Sequence, residues 1–167
     1  MREKPLETEF VSAAKRLPKA KAEIKGIAAY PGIRGTVKFF ETERGTLVSA
    51  EVWGLPFGQA PCACRVFGFH IHGGTMCGGN KSDPLAGAKA HYNPQNCPHP
   101  CHAGDLPPLF GNRGYAFSVF LTDRFRADEV VGRTVIIHAS PDDFKTQPSG
   151  NSGEKIACGI IEKNGKK

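Results

Sequence analysis

The 167-residue chain holds no apolar run approaching the roughly 20 residues that a membrane-spanning helix needs. Its opening, MREKPLETEFVSAAKRLPKAK, lacks the continuous apolar core of a secretory signal. A cytoplasmic protein is therefore the default expectation, and a periplasmic or extracellular one if a leader has been removed. Aromatic residues make up only 9%, with a single Trp, and they are not interleaved with the basic residues. No nucleic-acid recognition motif is present either, which argues against a nucleic-acid binder despite a net charge of +6 and a pI near 9.1. Residues 1–25 carry seven Lys/Arg against four Asp/Glu, so three of the six excess charges lie there. This fits a solvated basic arm, residues 1–20, ahead of one domain spanning 21–163 and a short tail, 164–167. The length suits one domain with a sizeable core.

Histidine is also confined. There are six, and all lie in four short stretches: Phe69-His70-Ile71-His72, His91-Tyr92-Asn93-Pro94, His99-Pro100-Cys101-His102 and Ile136-Ile137-His138. None is spent on surface polarity elsewhere. Neutral imidazole is the commonest metal ligand and suits zinc and copper, so the set reads as one metal-binding constellation.

Six cysteines, Cys62, Cys64, Cys77, Cys97, Cys101 and Cys158, allow up to three disulfides, which persist mainly outside the cytosol. This pulls against the missing leader and leaves the compartment open.

Periodicity favours strands. Residues 22–27, 34–41 and 46–53 alternate apolar and polar positions and are separated by Gly and Pro. Further strands are expected at 62–72, 107–111, 114–122, 131–138 and 155–163. The expectation is an all-β, eight-stranded antiparallel Greek-key sandwich or barrel, immunoglobulin-like, with no helix inside the domain. Only residues 5–17 have the spacing of a short amphipathic helix. Two long loops, 73–106 and 139–153, interrupt the strands, and loops of that length are uncommon unless functional.

On a strand, side chains two apart share a face. His70 and His72 then project together while Phe69 and Ile71 point into the core. His91, His99, His102 and Asp105 in the first loop supply three imidazoles and a carboxylate, a closed tetrahedral set of the kind that holds structural zinc. Cys97 and Cys101, which flank His99, are an alternative pair of zinc thiolates. His138 ends an apolar strand, from which it can lean toward His70 and His72.

Five ordered motifs make the chain resemble the copper–zinc superoxide dismutases. They are Gly68-Phe69-His70-Ile71-His72, His91-Tyr92-Asn93-Pro94, His102-Ala103-Gly104-Asp105, Gly132-Arg133-Thr134-Val135-Ile136-Ile137-His138, and Gly150-Asn151-Ser152-Gly153 followed by Ala157-Cys158-Gly159. The resemblance covers roughly 21–163, and the eight-stranded Greek-key fold of that family agrees with the strand count. It implies copper on His70, His72, His91 and His138, and zinc on His91, His99, His102 and Asp105, with His91 bridging. It further implies that Asp142 links His70 to His99, and that Cys77 and Cys158 form a disulfide.

The implied reaction converts superoxide to oxygen and hydrogen peroxide by copper redox cycling, with His91 shuttling a proton and zinc in a structural role. Superoxide is then the small anionic substrate and a copper donor an expected partner, the chain acting as monomer or homodimer. A non-catalytic copper- or zinc-binding protein of the same fold, serving storage or delivery, is the alternative. Such a protein is expected to lose a copper ligand, and this chain keeps all four. Two departures from the family stand out. The arginine expected three residues before the last-strand cysteine is Lys155, which keeps the charge but not the planar fork. It is expected to guide the anion with weaker positioning. The loop Asp142–Ser149 is also shorter than the family's usual one.

Overall fold

The computed structural model describes residues 11–12, 15–60 and 62–165. The helix expected over 5–17 lies mostly outside them. The described residues form nine strands: β1 (Ala20–Gly26), β2 (Arg34–Thr42), β3 (Gly45–Trp53), β4 (Val66–Phe67), β5 (Phe69–His72), β6 (Leu109–Phe110), β7 (Tyr115–Thr122), β8 (Thr134–His138) and β9 (Lys155–Lys163). Two 3-10 helices, Ala86–Ala88 and Ala127–Val130, lie in connections.

Seven strands form one antiparallel sheet in the order β5-β8-β9-β1-β2-β3-β7, and β4 pairs with β6 beside it. The sheet curls into a Greek-key barrel. Alternation in the sequence becomes alternation of faces: Ala20, Ala22 and Ile24 of β1, Val37 and Phe39 of β2, and Val48, Ala50 and Val52 of β3 fill one interior with Phe69, Ile71, Val135 and Ile137. Full burial of each Val, Ile or Phe among them is worth about 1.5–3 kcal/mol.

The single strand expected over 62–72 is divided. Residues 62–65 are not strand, and Gly68 separates β4 from β5, which join different sheets. Gly68 N–H donates to Ser140 O (2.8 Å) and Gly68 O accepts from His138 N–H (2.8 Å). A Cβ at this position would lie 2.9 Å from the Ser152 side chain and 3.2 Å from His138 Cβ. Glycine therefore lets the second long loop close against the barrel. Counting β4 and β5 as one interrupted strand gives the expected eight.

The outer face of β5, β8 and β9 carries the chemistry. Across β5 and β8, Phe69 pairs with Ile137 and Ile71 with Val135, all facing the core, which turns His70, His72 and Ile136 outward. Cys158 is the cross-strand partner of Ile136. Outward does not mean exposed, because the first long loop folds back over this face. Its Leu85 and Ala88 pack with Ile136 and Cys158 in a second apolar cluster. The loop is also bonded to the barrel: Cys77 and Cys158 form a disulfide across 81 residues, with Cα atoms 5.6 Å apart.

Candidate metal centre

Backbone hydrogen bonds bring the loop histidines to the strand histidines. Tyr92 N–H donates to Ile71 O (2.8 Å), Ile71 N–H to Gly104 O (2.9 Å) and Gly104 N–H to Tyr92 O (2.8 Å). Isolated bridges align His72 with His91 and His70 with Asp105. The loop thus adds two short passes along β5, and each delivers a ligand-type side chain beside a histidine. His138 arrives from β8, next to the Gly68 break.

Two donor groups result. His70, His72, His91 and His138 form one; His91, His99, His102 and Asp105 form the other. In each, one candidate donor atom per residue lies within 4.8 Å of all the rest, and every member is buried. His91 belongs to both. Among the described residues, these groups contain no thiol. Cys97 and Cys101 stand outside them, and they, Cys62 and Cys64 are free. The thiolate alternative for zinc therefore has no counterpart in the structure.

The ring nitrogens divide cleanly between structure and centre. His70 Nε2 lies 2.8 Å from Asp142 Oδ2, and His99 Nε2 lies 2.9 Å from Asp142 Oδ1. His72 Nδ1 lies 2.7 Å from Lys89 O, and His138 Nδ1 3.2 Å from Gly153 O. These bonds use one nitrogen of each ring and aim the other inward, as oxygen partners do for metal-bound histidines. The inward atoms His70 Nδ1, His91 Nε2 and His99 Nδ1 are buried without a hydrogen bond. His99 Nδ1 does lie 3.1 Å from Asp105 Oδ2, but without hydrogen-bond alignment, an arrangement that suits two donors facing one centre. His72 Nε2 and His138 Nε2 face each other at 3.3 Å, and His91 Nδ1 lies 2.7 Å from Asp105 Oδ1. Buried polar atoms left unpaired are costly. Several converging on two points fit a pair of cation sites.

Electrostatics agree. Burial, then the neighbouring His91 and His138, push His70 down to about 2. Burial likewise holds His72 well below its ordinary value and His138 at about 4. Imidazoles that stay neutral are ready ligands. Burial pushes the Asp105 carboxyl up, but the hydrogen bond and charge of His91, with His102 and His99, outweigh it and hold the group at about 2.

A family model described as copper/zinc superoxide dismutase (SODC) matches residues 33–161. The chain belongs to the copper–zinc superoxide dismutase family. Superoxide dismutase (Cu-Zn) 2 of Aquifex aeolicus is 34% identical over 142 residues, covering 76% of this chain and 78% of that protein. The superoxide dismutase (Cu-Zn) of Deinococcus radiodurans is 33% identical over 148 residues, 78% of each chain. That of Escherichia coli is 32% identical over 142 residues, 77% of this chain and 78% of its own. The protein is an oxidoreductase of this family, whose metals are copper and zinc, and its donor groups suit them. Four imidazoles fit copper, and three imidazoles with one carboxylate fit zinc.

Around these donor groups, three supporting residues had no sequence signal. Arg124, just past β7, donates from Nη1 to the carbonyls of Pro100 (3.2 Å), His102 (3.3 Å) and Asp105 (3.2 Å), fastening the loop around its donor side chains. Gln147 exchanges two bonds with His99: Nε2 donates to His99 O (2.6 Å) and Oε1 accepts from His99 N–H (3.0 Å). Asp83 receives Lys155. The Lys155 Nζ donates to Asp83 Oδ2 (2.6 Å) and Leu85 O (3.2 Å), so the cation is engaged rather than free. Gly150, at φ +68, is also fixed by the site: a Cβ there would overlap the Asp142 carboxylate and His99 Nε2.

Proposed function

We propose that the protein disproportionates superoxide, two superoxide ions and two protons giving one oxygen and one hydrogen peroxide. Copper is assigned to His70, His72, His91 and His138, and zinc to His91, His99, His102 and Asp105. The observation that carries this reading is the sharing of His91: both of its nitrogens face donor groups, so one imidazole serves two centres.

Copper supplies a centre that takes an electron from one superoxide and returns it to the next, while zinc keeps a fixed charge. The chain's own residues do the rest. Asp142 holds His70 and His99 in fixed orientation, and Lys89 O and Gly153 O do the same for His72 and His138. His91 turns Nδ1 toward Asp105 and the group assigned to zinc, which leaves Nε2 as the atom that accepts a proton and gives it to the departing peroxide. Lys155, the cross-strand partner of His138, is the cation assigned to attract the substrate anion. Superoxide dismutase is itself a standard example of such steering.

The test is superoxide decay followed after a radiolytic pulse, with protein loaded with both metals. Rapid catalytic decay, lost in His138→Ala, is expected. Stoichiometric uptake of both metals without catalytic decay would instead identify a storage or delivery protein.

A further inference from the structure

Lys155 stands at the start of β9 as the cross-strand partner of His138. A cation so placed, with its side chain 19% exposed, is suited to draw a small anion toward the first donor group. Its charge is not free to do so at full strength. Asp83 lies across from it at 2.6 Å, its own side chain 43% exposed.

Asp83 is held by its turn. Its Oδ1 accepts from Leu85 N–H (3.0 Å), and its backbone carbonyl accepts from Asn80 N–H (3.0 Å) and Ala86 N–H (3.1 Å). Leu85 in turn packs on Ile136 and Cys158. The carboxylate is therefore delivered to Lys155 by a segment seated on the barrel, not by a swinging side chain. Two opposite charges this close form a dipole, whose field falls off faster than that of a lone cation and is further screened by salt.

We propose that Asp83 sets the strength of anion capture at the copper centre by offsetting Lys155. This rests on the copper assignment of the first donor group. Asp83 is a tuning residue for substrate approach; it touches neither metal ligands nor substrate.

The test uses Asp83→Asn in the copper- and zinc-loaded protein. Asparagine keeps an oxygen for Leu85 N–H, sets an amide NH2 opposite Lys155 Nζ in place of the second oxygen, and removes the negative charge. Azide, a small anion that binds copper(II), is titrated and followed by visible absorption at low and high ionic strength. A unit charge about 10 Å away in water is worth roughly a factor of two, and more where water is partly excluded. Azide affinity is expected to rise about two- to five-fold at low salt, with the gain shrinking at high salt and vanishing in the Asp83→Asn/Lys155→Gln double variant. The rate constant for superoxide is expected to rise in parallel. If the Asn variant fails to fold, Asp83→Ser, whose hydroxyl also reaches the turn, carries the same comparison. Lys155→Gln alone reads the pair from the other side, weakening azide binding by leaving Asp83 unpaired. Unchanged or weaker azide binding in a folded, metal-loaded neutral variant at position 83 overturns the proposal. Azide responding as stated in a protein that consumes no superoxide would instead overturn the activity and leave the tuning in place.

Discussion

The Asp142 carboxylate lies 2.8 Å from His70 Nε2, and both side chains are almost wholly buried. Its other oxygen is 2.9 Å from His99 Nε2, so one carboxylate joins the two donor groups through the ring nitrogens opposite the unpaired ones. Removing such an oxygen partner typically costs about 10–100-fold in metal affinity. Asp142→Asn is expected to weaken retention of both metals by that order, measured by competition with chelators. Equal retention in variant and parent would contradict this.

Arg124 acts on one group only. It gathers the carbonyls of Pro100, His102 and Asp105. A lysine offers a point charge in place of a planar fork. Arg124→Ala, and to a lesser degree Arg124→Lys, is expected to speed zinc loss several-fold while leaving copper retention near normal at saturating zinc. Cobalt placed in the zinc position should show an altered visible spectrum. Parallel loss of both metals would contradict this placement.

The Cys77–Cys158 bond closes a separation of 81 residues. Chain entropy for a loop of this size amounts to about 4–5 kcal/mol. The metal-free Cys77→Ser/Cys158→Ser variant is expected to melt well below the parent. Because the same loop carries His91, His99, His102 and Asp105, zinc affinity should fall with it. A variant matching the parent in both would show that the loop holds without the bond.

Acid should weaken the metal-free fold in a defined window. In the unfolded chain, imidazoles gain protons near pH 6.5; in the folded chain His138 does so only near 4 and His70 near 2. Below 6.5 the unfolded chain therefore holds more protons, and stability falls as pH drops. Each such imidazole contributes about 1.4 kcal/mol per pH unit between its two values. Asp105 adds a loss in the same direction below 3.8, down to about 2. Thermal melts of the metal-free protein should be flat above pH 7 and decline steadily from 6.5 to 4, and a flat profile across that range would refute the assignment.

The candidate donors were legible because five of the six histidines fall in family motifs, with His99 three residues before His102, and because strand alternation places His70 and His72 on one face. The strands of the barrel were legible for the same reason. What escaped the sequence was long-range. Nothing local marks Gly68 as the point where a strand changes sheets, since that follows from the approach of Ser152 and His138 across the fold. Lys155 read as a guiding cation; its pairing with Asp83 spans 72 residues and no spacing rule reaches that far. Arg124 looked like any loop arginine, and the roles of Cys97 and Cys101 stayed open until the imidazoles filled both donor groups.

The central claim is that seven side chains hold two different ions that share His91. Diffraction from metal-loaded crystals at the copper and zinc absorption edges tests it most directly. The account predicts a copper signal bounded by His70, His72, His91 and His138, and a zinc signal bounded by His91, His99, His102 and Asp105. A single ion, or a metal bound at Cys97 and Cys101 with His91 facing none, would contradict it.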